Sequence, residues 1–218
     1  MKLVISGVGT SVGKTHVACA LATTLREAGL SCAAVKPVET GGGDDGAALA
    51  MASRFSPEQP PPYSFPEPIA PHLAARQLGI EIELRRCCQW VDQMIGGFEV
   101  QIVELAGGLL SPLSPHARNA ELLRQLAPDG WVAVARDRLG VIHEIASLMI
   151  CAQALDLPAP IVVLNAPSAP DRSTATNGAE LATLGICIVS AEFPRAALDD
   201  DRTKLAATGV ARAVGIFH

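Results

Sequence analysis

The sequence predicts an α/β fold built from a mainly parallel sheet with helices on both faces. Two observations predict this class. Short aliphatic runs alternate along the chain with stretches of helical periodicity, and 49% of the residues are hydrophobic whereas only 4% are aromatic. Strands that are buried on both faces require such aliphatic runs, and alternation of strands with helices favours parallel crossovers. The chain has 218 residues, and we expect residues 1–218 to form a single domain.

Six short β-rich runs are predicted to be strands: Leu3–Ile5, Cys32–Val35, Val100–Val103, Trp131–Val134, Ile161–Leu164 and Ile186–Val189. Between them, apolar faces at helical spacing predict a first helix from about Lys14 to Ala28 and another from about Glu81 to Ile95. Two segments, GGGDDG at 41–46 and the proline-rich stretch at 57–71, predict mobile loops rather than a domain boundary.

Composition and charge indicate small-molecule partners. The formal net charge is −5 and the sequence contains no Lys/Arg run, which argues against binding to nucleic acid or anionic lipid. The six cysteines show no C-x-x-C spacing and are interpreted as reduced packing residues. The longest apolar region, 148–164, is interrupted by Gln153, Asp156 and two prolines, and the N-terminus lacks the pattern of a secretory signal. We therefore expect a cytoplasmic protein without a membrane role.

A glycine-rich segment, GVGTSVGKT at Gly7–Thr15, directly follows the first predicted strand and opens the first predicted helix. This is the context of a P-loop, in which backbone N–H groups and the positive end of the helix dipole face a phosphate. Lys14 would contact the β- and γ-phosphates, and the Thr15 hydroxyl would ligate magnesium. The spacing is irregular, because the position that should hold the first glycine is Val8. A glycine-rich turn that only caps a helix is the alternative.

A magnesium–nucleotide site also needs carboxylates, and Glu104 is the best candidate. It ends the apolar run VQIVE, and ligands of parallel sheets bind beyond the carboxyl ends of the strands. Gly107 and Gly108 would let backbone N–H groups approach a ligand closely. The pair Asp44 and Asp45 offers a second acid. The alternative for all of these carboxylates is a solvated strand end or loop.

Several motifs, taken together and in order, resemble the dethiobiotin synthetase family: GVGTSVGKT at 7–15, VKPVETG at 35–41, FPEPIAPHLAA at 65–75, VELAGGLLSPLS at 103–114, RLGVIHE at 138–144 and VVLNA at 162–166. Members of this family have a single-domain P-loop NTPase-type fold with a lengthened P-loop, so the irregular spacing is what the resemblance implies. They use ATP and Mg²⁺ to join CO₂ to 7,8-diaminononanoate. A carbamate forms, the γ-phosphate activates it, and the second amine closes a cyclic urea.

The resemblance implies a role for each matching residue. Lys36 would be the catalytic lysine that stabilises the carbamate and the transferring phosphoryl group, with Lys14 and Thr10 beside it. Thr15, Asp45 and Glu104 would hold magnesium. The nucleotide would be bound by residues of the P-loop, the Glu104 loop and a base pocket: Gly9, Ser11, Val12, Gly13, Lys14, Thr15, His16, Glu104, Gly107, Asn165, Ala166, Pro194, Arg195 and Ala196. The position of Lys36 at the carboxyl end of a strand, before Pro37, favours the ligand crevice; the alternative is a solvated charge. Asn165 alone could be a turn residue, so its role depends on the resemblance.

The resemblance also implies a homodimer in which the diamine carboxylate binds a helix N-terminus of the partner subunit. The corresponding segment here is LGVIHE, whose N–H groups could bind any carboxylate. The substrate-binding residues would be Thr40, Gly108, Gly140, Val141, Ile142 and His143. A lone His143 is more often a capping or packed residue than a catalyst, and His72 is likewise interpreted as structural.

Three positions depart from the family pattern. Ser11 replaces the usual acidic residue of the P-loop, Leu105 stands where the family has glycine, and His143 stands where it has asparagine. A leucine cannot take glycine-only backbone angles, so we expect the loop after Glu104 to approach phosphate differently. The rival hypotheses are a related P-loop synthetase or amidotransferase, a partitioning ATPase, and a nucleotide-sensing module without catalysis. Partitioning ATPases use an extra lysine early in the P-loop, and positions 7–12 hold none.

Overall fold

The computed structural model describes residues 1–217, and this part of the chain forms ten strands and eight helices. The strands are β1 Lys2–Gly7, β2 Cys32–Val35, β3 Val38–Thr40, β4 Tyr63–Phe65, β5 Val100–Gly108, β6 Pro112–Ser114, β7 Ala117–Arg118, β8 Gly130–Arg136, β9 Ile161–Asn165 and β10 Val189–Phe193. The helices are α1 Lys14–Glu27, α2 Asp44–Ser53, α3 Pro71–Gln77, α4 Leu84–Ile95, α5 Asn119–Leu126, α6 Val141–Ala154, α7 Asn177–Thr183 and α8 Asp201–Ala213.

Six of the strands form one sheet in the order β10-β9-β8-β1-β5-β2, and every neighbouring pair in it is parallel. The strand β1 therefore lies centrally, and its carboxyl end meets those of β5 and β8. Because parallel strands all end at the same edge of the sheet, the loops after β1, β2, β5, β8 and β9 converge there. The P-loop is the loop after β1, so the fold places it in the middle of this edge.

Each face of the sheet packs against its own helices, as the sequence predicts. Leu3 and Ile5 of β1 lie in a buried cluster with residues of α1, α2 and α8. Val4, which points to the opposite face, lies in a second cluster with residues of α4, α5 and α6. A smaller cluster joins β8 and β9 to α6 and α7. The alternation explains why the strands contain almost only aliphatic residues: both of their faces are buried.

Two predicted boundaries were wrong. The strand predicted at Ile186–Val189 overlaps the observed β10 only at Val189, and Ile188 is 80% exposed. Pairing with β9 decides the strand there, and aliphatic composition does not. The helix predicted from Glu81 begins at Leu84, because the backbone of Glu83 is extended and its N–H donates to the Tyr63 hydroxyl at 2.9 Å.

The two predicted loops are also more regular than expected. In GGGDDG only the glycines form a turn, with φ of 90–102°, and Asp44 already begins α2. Positive φ favours glycine, which accounts for the run of three. The proline-rich segment contains β4, which pairs with β3, and ends at the start of α3. None of the helices within residues 1–217 combines the length and apolar character needed to cross a bilayer.

Candidate active site

The P-loop leaves β1 at Gly7 and enters α1 at Lys14. The residue before the helix, Gly13, has φ 95°, and in the described chain no side chain caps this helix end and no acidic residue lies in its first turn. A Cβ on Gly13 would lie 1.8 Å from the Asn165 amide nitrogen. The helix therefore offers uncapped N–H groups and its positive dipole end to an anion. Position 13 requires glycine both because its φ is positive and because a Cβ would clash with Asn165.

Three carbonyl oxygens of the P-loop accept hydrogen bonds from side chains. Lys14 Nζ donates to the carbonyl of Gly9 at 3.1 Å, and Asn165 Nδ2 donates to that of Val12 at 3.1 Å. The guanidinium of Arg136 donates to the carbonyl of Ser11. The Val12 side chain is buried in the core below the loop, so any contact it makes with a nucleotide is through its backbone.

Lys36 lies between two carboxylates at the centre of the site. Its Nζ donates to Glu104 Oε1 at 2.8 Å and to Asp45 Oδ2 at 2.5 Å. The Thr15 hydroxyl is 2.9 Å from Asp45 Oδ1 and 3.1 Å from Glu104 Oε1. The lysine comes from the end of β2, the glutamate from β5, the aspartate from α2 and the threonine from α1. Lys36 and Glu104 are only 7% and 1% exposed, so Lys36 is not the solvated charge of the alternative hypothesis.

The site contains two lysines and two carboxylates, and all of these side chains except that of Asp45 are buried. Burial lowers the pKa of Lys14 to about 8, with the Lys36 charge acting in the same direction and Glu104 and Asp45 opposing it. Burial would also lower the pKa of Lys36, but the carboxylates of Glu104 and Asp45 outweigh it and raise that pKa above its ordinary value. Burial raises the pKa of Glu104 against the attraction of the two lysines. Two lysines thus face two carboxylates where solvent screening is weak.

The donor set fits magnesium. Within residues 1–217 no three His, Cys, Asp or Glu side chains are grouped to hold a metal ion, so a magnesium ion here would depend on two carboxylates, the Thr15 hydroxyl and oxygens of the nucleotide and water. Magnesium is ordinarily bound in this way, by one or two carboxylates with phosphates and waters. Glu104 Oε2 is buried without a hydrogen-bond partner, and a cation would satisfy it. Asp45 rather than Asp44 contacts Thr15 and Lys36.

These groups line one cavity of about 620 Å³. Of the residues singled out from the sequence, the ones that line it are Thr10, Ser11, Gly13, Lys14, Thr15, Lys36, Thr40, Asp45, Glu104 and Gly107. Its lining also includes Pro68 and Ile69 of the segment 65–75, and Ser111 and Pro112. Gly9 and Gly108 line an adjoining cavity of about 340 Å³ against α6. The cavity therefore joins phosphate-binding groups to space for a second substrate.

A separate cavity of about 470 Å³ lies on the other side of Gly13. The sequence-predicted residues His16, Asn165, Ala166, Arg195 and Ala196 line it, together with Arg136 and Ala197. Pro194 adjoins this lining and follows β10 directly. Burial lowers the pKa of His16, against an opposing hydrogen bond to the backbone of Pro194. The residues that the resemblance assigns to a base pocket therefore line one cavity beside the P-loop.

Leu105 lies in a regular part of the structure. The strand β5 continues to Gly108, and Leu105 is a buried strand residue in the core; how the loop after Glu104 approaches a phosphate stays a prediction. The positive φ falls instead at Gly107, at 81°. A Cβ there would lie 2.5 Å from Ser111 Oγ. The conformation that only glycine takes easily is therefore retained, two residues after Leu105.

Four polar residues of the site were missed in the sequence. Ser111 Oγ accepts from the Gly108 N–H at 2.9 Å, and Asn119 Nδ2 donates to the carbonyls of Ala106 and Gly108. Both hold the turn after Glu104. Glu39 is a third, and Arg136 is the fourth. Glu39 and Ser111 lie within motifs quoted from the sequence, VKPVETG and VELAGGLLSPLS, so these two had a detectable signal, whereas Asn119 and Arg136 had none.

Glu39 holds the start of α2. Its Oε1 accepts from the N–H groups of Asp45 at 2.9 Å and Gly46 at 3.0 Å, and Glu39 is 3% exposed. A carboxylate at a helix N-terminus satisfies unpaired amides and complements the dipole. By holding the start of α2, Glu39 positions Asp45 next to Lys36 and Thr15.

The segment Gly140–His143 lines neither the phosphate cavity nor the base cavity. It forms the start of α6, where Gly140 has φ 95° and no described side chain caps the helix. His143 is exposed. A carboxylate bound at this helix end would lie outside the two cavities.

Comparison with known proteins shows which P-loop family has this site. A family model described as AAA domain matches residues 1–215. The ATP-dependent dethiobiotin synthetase of Anaeromyxobacter dehalogenans (strain 2CP-C) is 35% identical over 189 residues, which is 84% of this chain and 84% of the relative. That of Caulobacter vibrioides (strain NA1000 / CB15N) is 33% identical over 183 residues, 78% of this chain and 82% of the relative. The chain belongs to the dethiobiotin synthetase family. It is an ATP-dependent enzyme of the ligase class.

Solved structures confirm the fold class. A ParA family ATPase from Chlorobium tepidum TLS covers 97% of this dethiobiotin synthetase family member with a TM-score of 0.57 at 14% identity, and 90% of that chain is covered. A chain of the MinC:MinD cell division protein complex of Aquifex aeolicus covers 98% with a TM-score of 0.61 at 13% identity, and 95% of that chain is covered. At such identities the likeness shows the P-loop fold and says nothing of function.

Proposed function

We propose that this protein carboxylates 7,8-diaminononanoate with CO₂ and closes the product to dethiobiotin, using ATP and Mg²⁺. The observation that carries the proposal is the placement of Lys36. Its ammonium lies beside the P-loop and between Asp45 and Glu104, in a cavity that extends beyond the phosphate-binding groups. A reaction between two anions, a carbamate and a triphosphate, needs positive charge at the point where they meet.

The proposed reaction has three steps. One amine of the substrate adds to CO₂ and loses a proton, which gives a carbamate. A carbamate oxygen then attacks the γ-phosphorus of ATP, ADP leaves, and a mixed carbamic–phosphoric anhydride results. The second amine attacks the carbonyl carbon, phosphate leaves, and the remaining proton is released. Two amines on neighbouring carbons make the last step intramolecular, so its geometry favours ring closure.

Each residue would act through groups that the site already directs to the cavity. Lys14 and the amides of the P-loop would bind the β- and γ-phosphates, and Lys36 would stabilise charge on the carbamate and the transferring phosphoryl group. Thr15, Asp45 and Glu104 would hold magnesium, which neutralises phosphate charge when bound. The hydroxyls of Thr10 and Thr40, which line the cavity, would bind the diamine. Asn165, His16 and their neighbours would bind the base.

We further propose that the protein acts as a homodimer in the cytoplasm, with the substrate carboxylate held at the start of α6 of the partner subunit. The uncapped amides at Gly140–His143 and their position outside the two cavities support this arrangement. Light scattering coupled to size exclusion would report the mass in solution. A monomer at all concentrations that still turns over would contradict the shared site.

The deciding experiment is an assay with ATP, Mg²⁺, bicarbonate and 7,8-diaminononanoate, scored for the cyclic urea by mass spectrometry and for ADP. We expect both products in equal amounts. The control substrate is the monoamine analogue, which can form a carbamate but has no second amine to close the ring. Nucleotide binding without diamine-dependent turnover would overturn the proposal and favour a nucleotide-sensing module.

A further inference from the structure

We infer that Arg136 is a positioning residue for the nucleotide, which holds the P-loop by fixing the backbone of Ser11 in its left-handed conformation. Ser11 has φ 57°, a region that non-glycine residues avoid because of their Cβ. Arg136 donates a hydrogen bond from its guanidinium to the Ser11 carbonyl. The inference rests on the proposed function only in that this loop binds a nucleotide.

Loop direction gives the first argument. A P-loop presents N–H groups to phosphate only if its carbonyl oxygens point elsewhere. Here the carbonyls of Gly9, Ser11 and Val12 are each bonded to a side chain, from Lys14, Arg136 and Asn165. An unbonded carbonyl could rotate toward the phosphate and repel it. Lys14 and Arg136 both donate from charged groups, but of the three carbonyls only that of Ser11 belongs to a non-glycine residue with positive φ. The contact from Arg136 is therefore the one that holds a backbone conformation which the residue itself disfavours.

Sheet register gives the second argument. Arg136 and Asn165 are directly paired residues at the carboxyl ends of β8 and β9. Two neighbouring side chains on the rigid edge of the sheet therefore hold two successive carbonyls, those of Ser11 and Val12. Side chains on strand ends hold a loop more precisely than side chains on other loops do. The pair forms a clamp, which we define as Arg136 and Asn165.

The charge of Arg136 lies in the cavity that would receive the base, together with Arg195. Arg136 could therefore help a nucleotide in two ways: by its charge, or by holding Ser11. Glycine separates the two, because it adopts φ 57° without cost. If Arg136 acts through the Ser11 backbone, Ser11→Gly makes the arginine largely unnecessary. If Arg136 acts on the nucleotide directly, its removal weakens ATP binding by the same factor whether position 11 is serine or glycine.

The experiment is calorimetric titration of ATP into four full-length proteins: the wild type, Arg136→Ala, Ser11→Gly and the double variant. We expect Arg136→Ala to weaken ATP binding roughly tenfold, the usual size of a lost charged hydrogen bond. The readout is the effect of removing the arginine in each background: Arg136→Ala should weaken binding roughly tenfold with serine at position 11, but within about threefold with glycine there, when the double variant is compared with Ser11→Gly. Arg136→Lys, which keeps a charge but has a different donor geometry, should recover only part of the loss.

Arg138→Ala is the matched control. Arg138 lies two residues further on, carries the same charge and bonds Glu144 and the Leu139 carbonyl instead of the P-loop. Its removal should leave ATP affinity within about twofold of the wild type. Thermal unfolding of each variant checks that the fold is retained.

Three results would overturn the inference: unchanged ATP binding in Arg136→Ala, a loss on Arg136→Ala that is as large with glycine at position 11 as with serine, or an equal loss in Arg138→Ala. Wild-type protein that binds no nucleotide would instead refute the proposed function. The two failures are therefore distinguishable within one set of titrations.

Discussion

The carboxyl edge of the sheet is built differently on its two sides of Gly13. The phosphate half, which we define as Lys14, Lys36, Asp45 and Glu104, lies over β1, β2 and β5. All of its side chains except that of Asp45 are buried, and Lys36 pairs with both carboxylates. The base half, defined as Arg136, Asn165, Ala166 and Arg195, lies over β8, β9 and β10, and its polar side chains bond mainly to backbone. We infer from this difference that the two halves have different roles: the charges of the phosphate half act in the reaction, and the shape of the base half binds the nucleotide.

The largest effect should come from Lys36→Met, which removes the ammonium but keeps an unbranched side chain. We expect turnover to fall at least about a hundredfold with a modest loss of ATP affinity, because a transition-state donor is lost. The variant also leaves Glu104 buried without its closest cation, so its free energy of unfolding should fall by roughly 3 kcal/mol. Steady-state kinetics and urea unfolding measure the two effects separately.

Lys2→Met is the matched control for this variant. Lys2 pairs with Asp92 at 2.9 Å, and that aspartate is 62% exposed, so its removal should change unfolding by less than about 1 kcal/mol and leave turnover intact. A folded Lys36→Met protein with turnover within tenfold of the wild type would move the catalytic role out of the phosphate half.

Glu104→Gln should weaken divalent cation binding by at least about tenfold, since a carboxylate ligand loses its charge. Binding of Mn²⁺ in the presence of ATP, followed by electron paramagnetic resonance, measures this without turnover. Glu39→Gln is the matched control, because Glu39 is equally buried but bonds two backbone amides. Equal weakening in both variants would mean that the cation site depends on the fold of this region rather than on the Glu104 oxygens.

The same division explains which parts of the site could be predicted from the sequence. Lys36 and Glu104 were predictable because of their residue type and their position at predicted strand ends, and Lys14 because it follows a glycine-rich loop at the start of a helix. The contact of Arg136 with Ser11 depends on the pairing of β8 with β9 and on the path of the P-loop, neither of which has a local signal. For the same reason the last strand was misplaced: its aliphatic neighbours, 186–188, satisfy the pattern but do not pair.

The fold class was predictable for a further reason. Aliphatic strands alternating with helices have few ways to bury both faces of each strand. The start of α2 was not predictable, because glycines and aspartates ordinarily indicate a loop. What turns Asp44 into the first residue of a helix is the Glu39 carboxylate, which binds the free amides from another element.

Asn165→Ala tests the base half. We expect ATP affinity to fall about fivefold, the value of one neutral hydrogen bond, while kcat at saturating ATP changes less than twofold. Calorimetry and steady-state kinetics give the two numbers. An unchanged affinity together with a lower kcat would remove the distinction between the halves, since a base-half residue would then act on the reaction.

The smallest effect should come from Glu39→Gln, which supports the phosphate half from outside the phosphate cavity. The glutamine keeps an oxygen for the amides of Asp45 and Gly46 but loses the charge that complements the helix dipole, so the free energy of unfolding should fall by about 0.5–1 kcal/mol. Turnover should stay within about twofold, because Asp45 is also held by Lys36 and Thr15. Urea unfolding and kcat are the measurements. A tenfold loss of kcat with unchanged stability would show that the charge of Glu39 itself sets the position of Asp45, and the phosphate half would then extend beyond the four residues that define it.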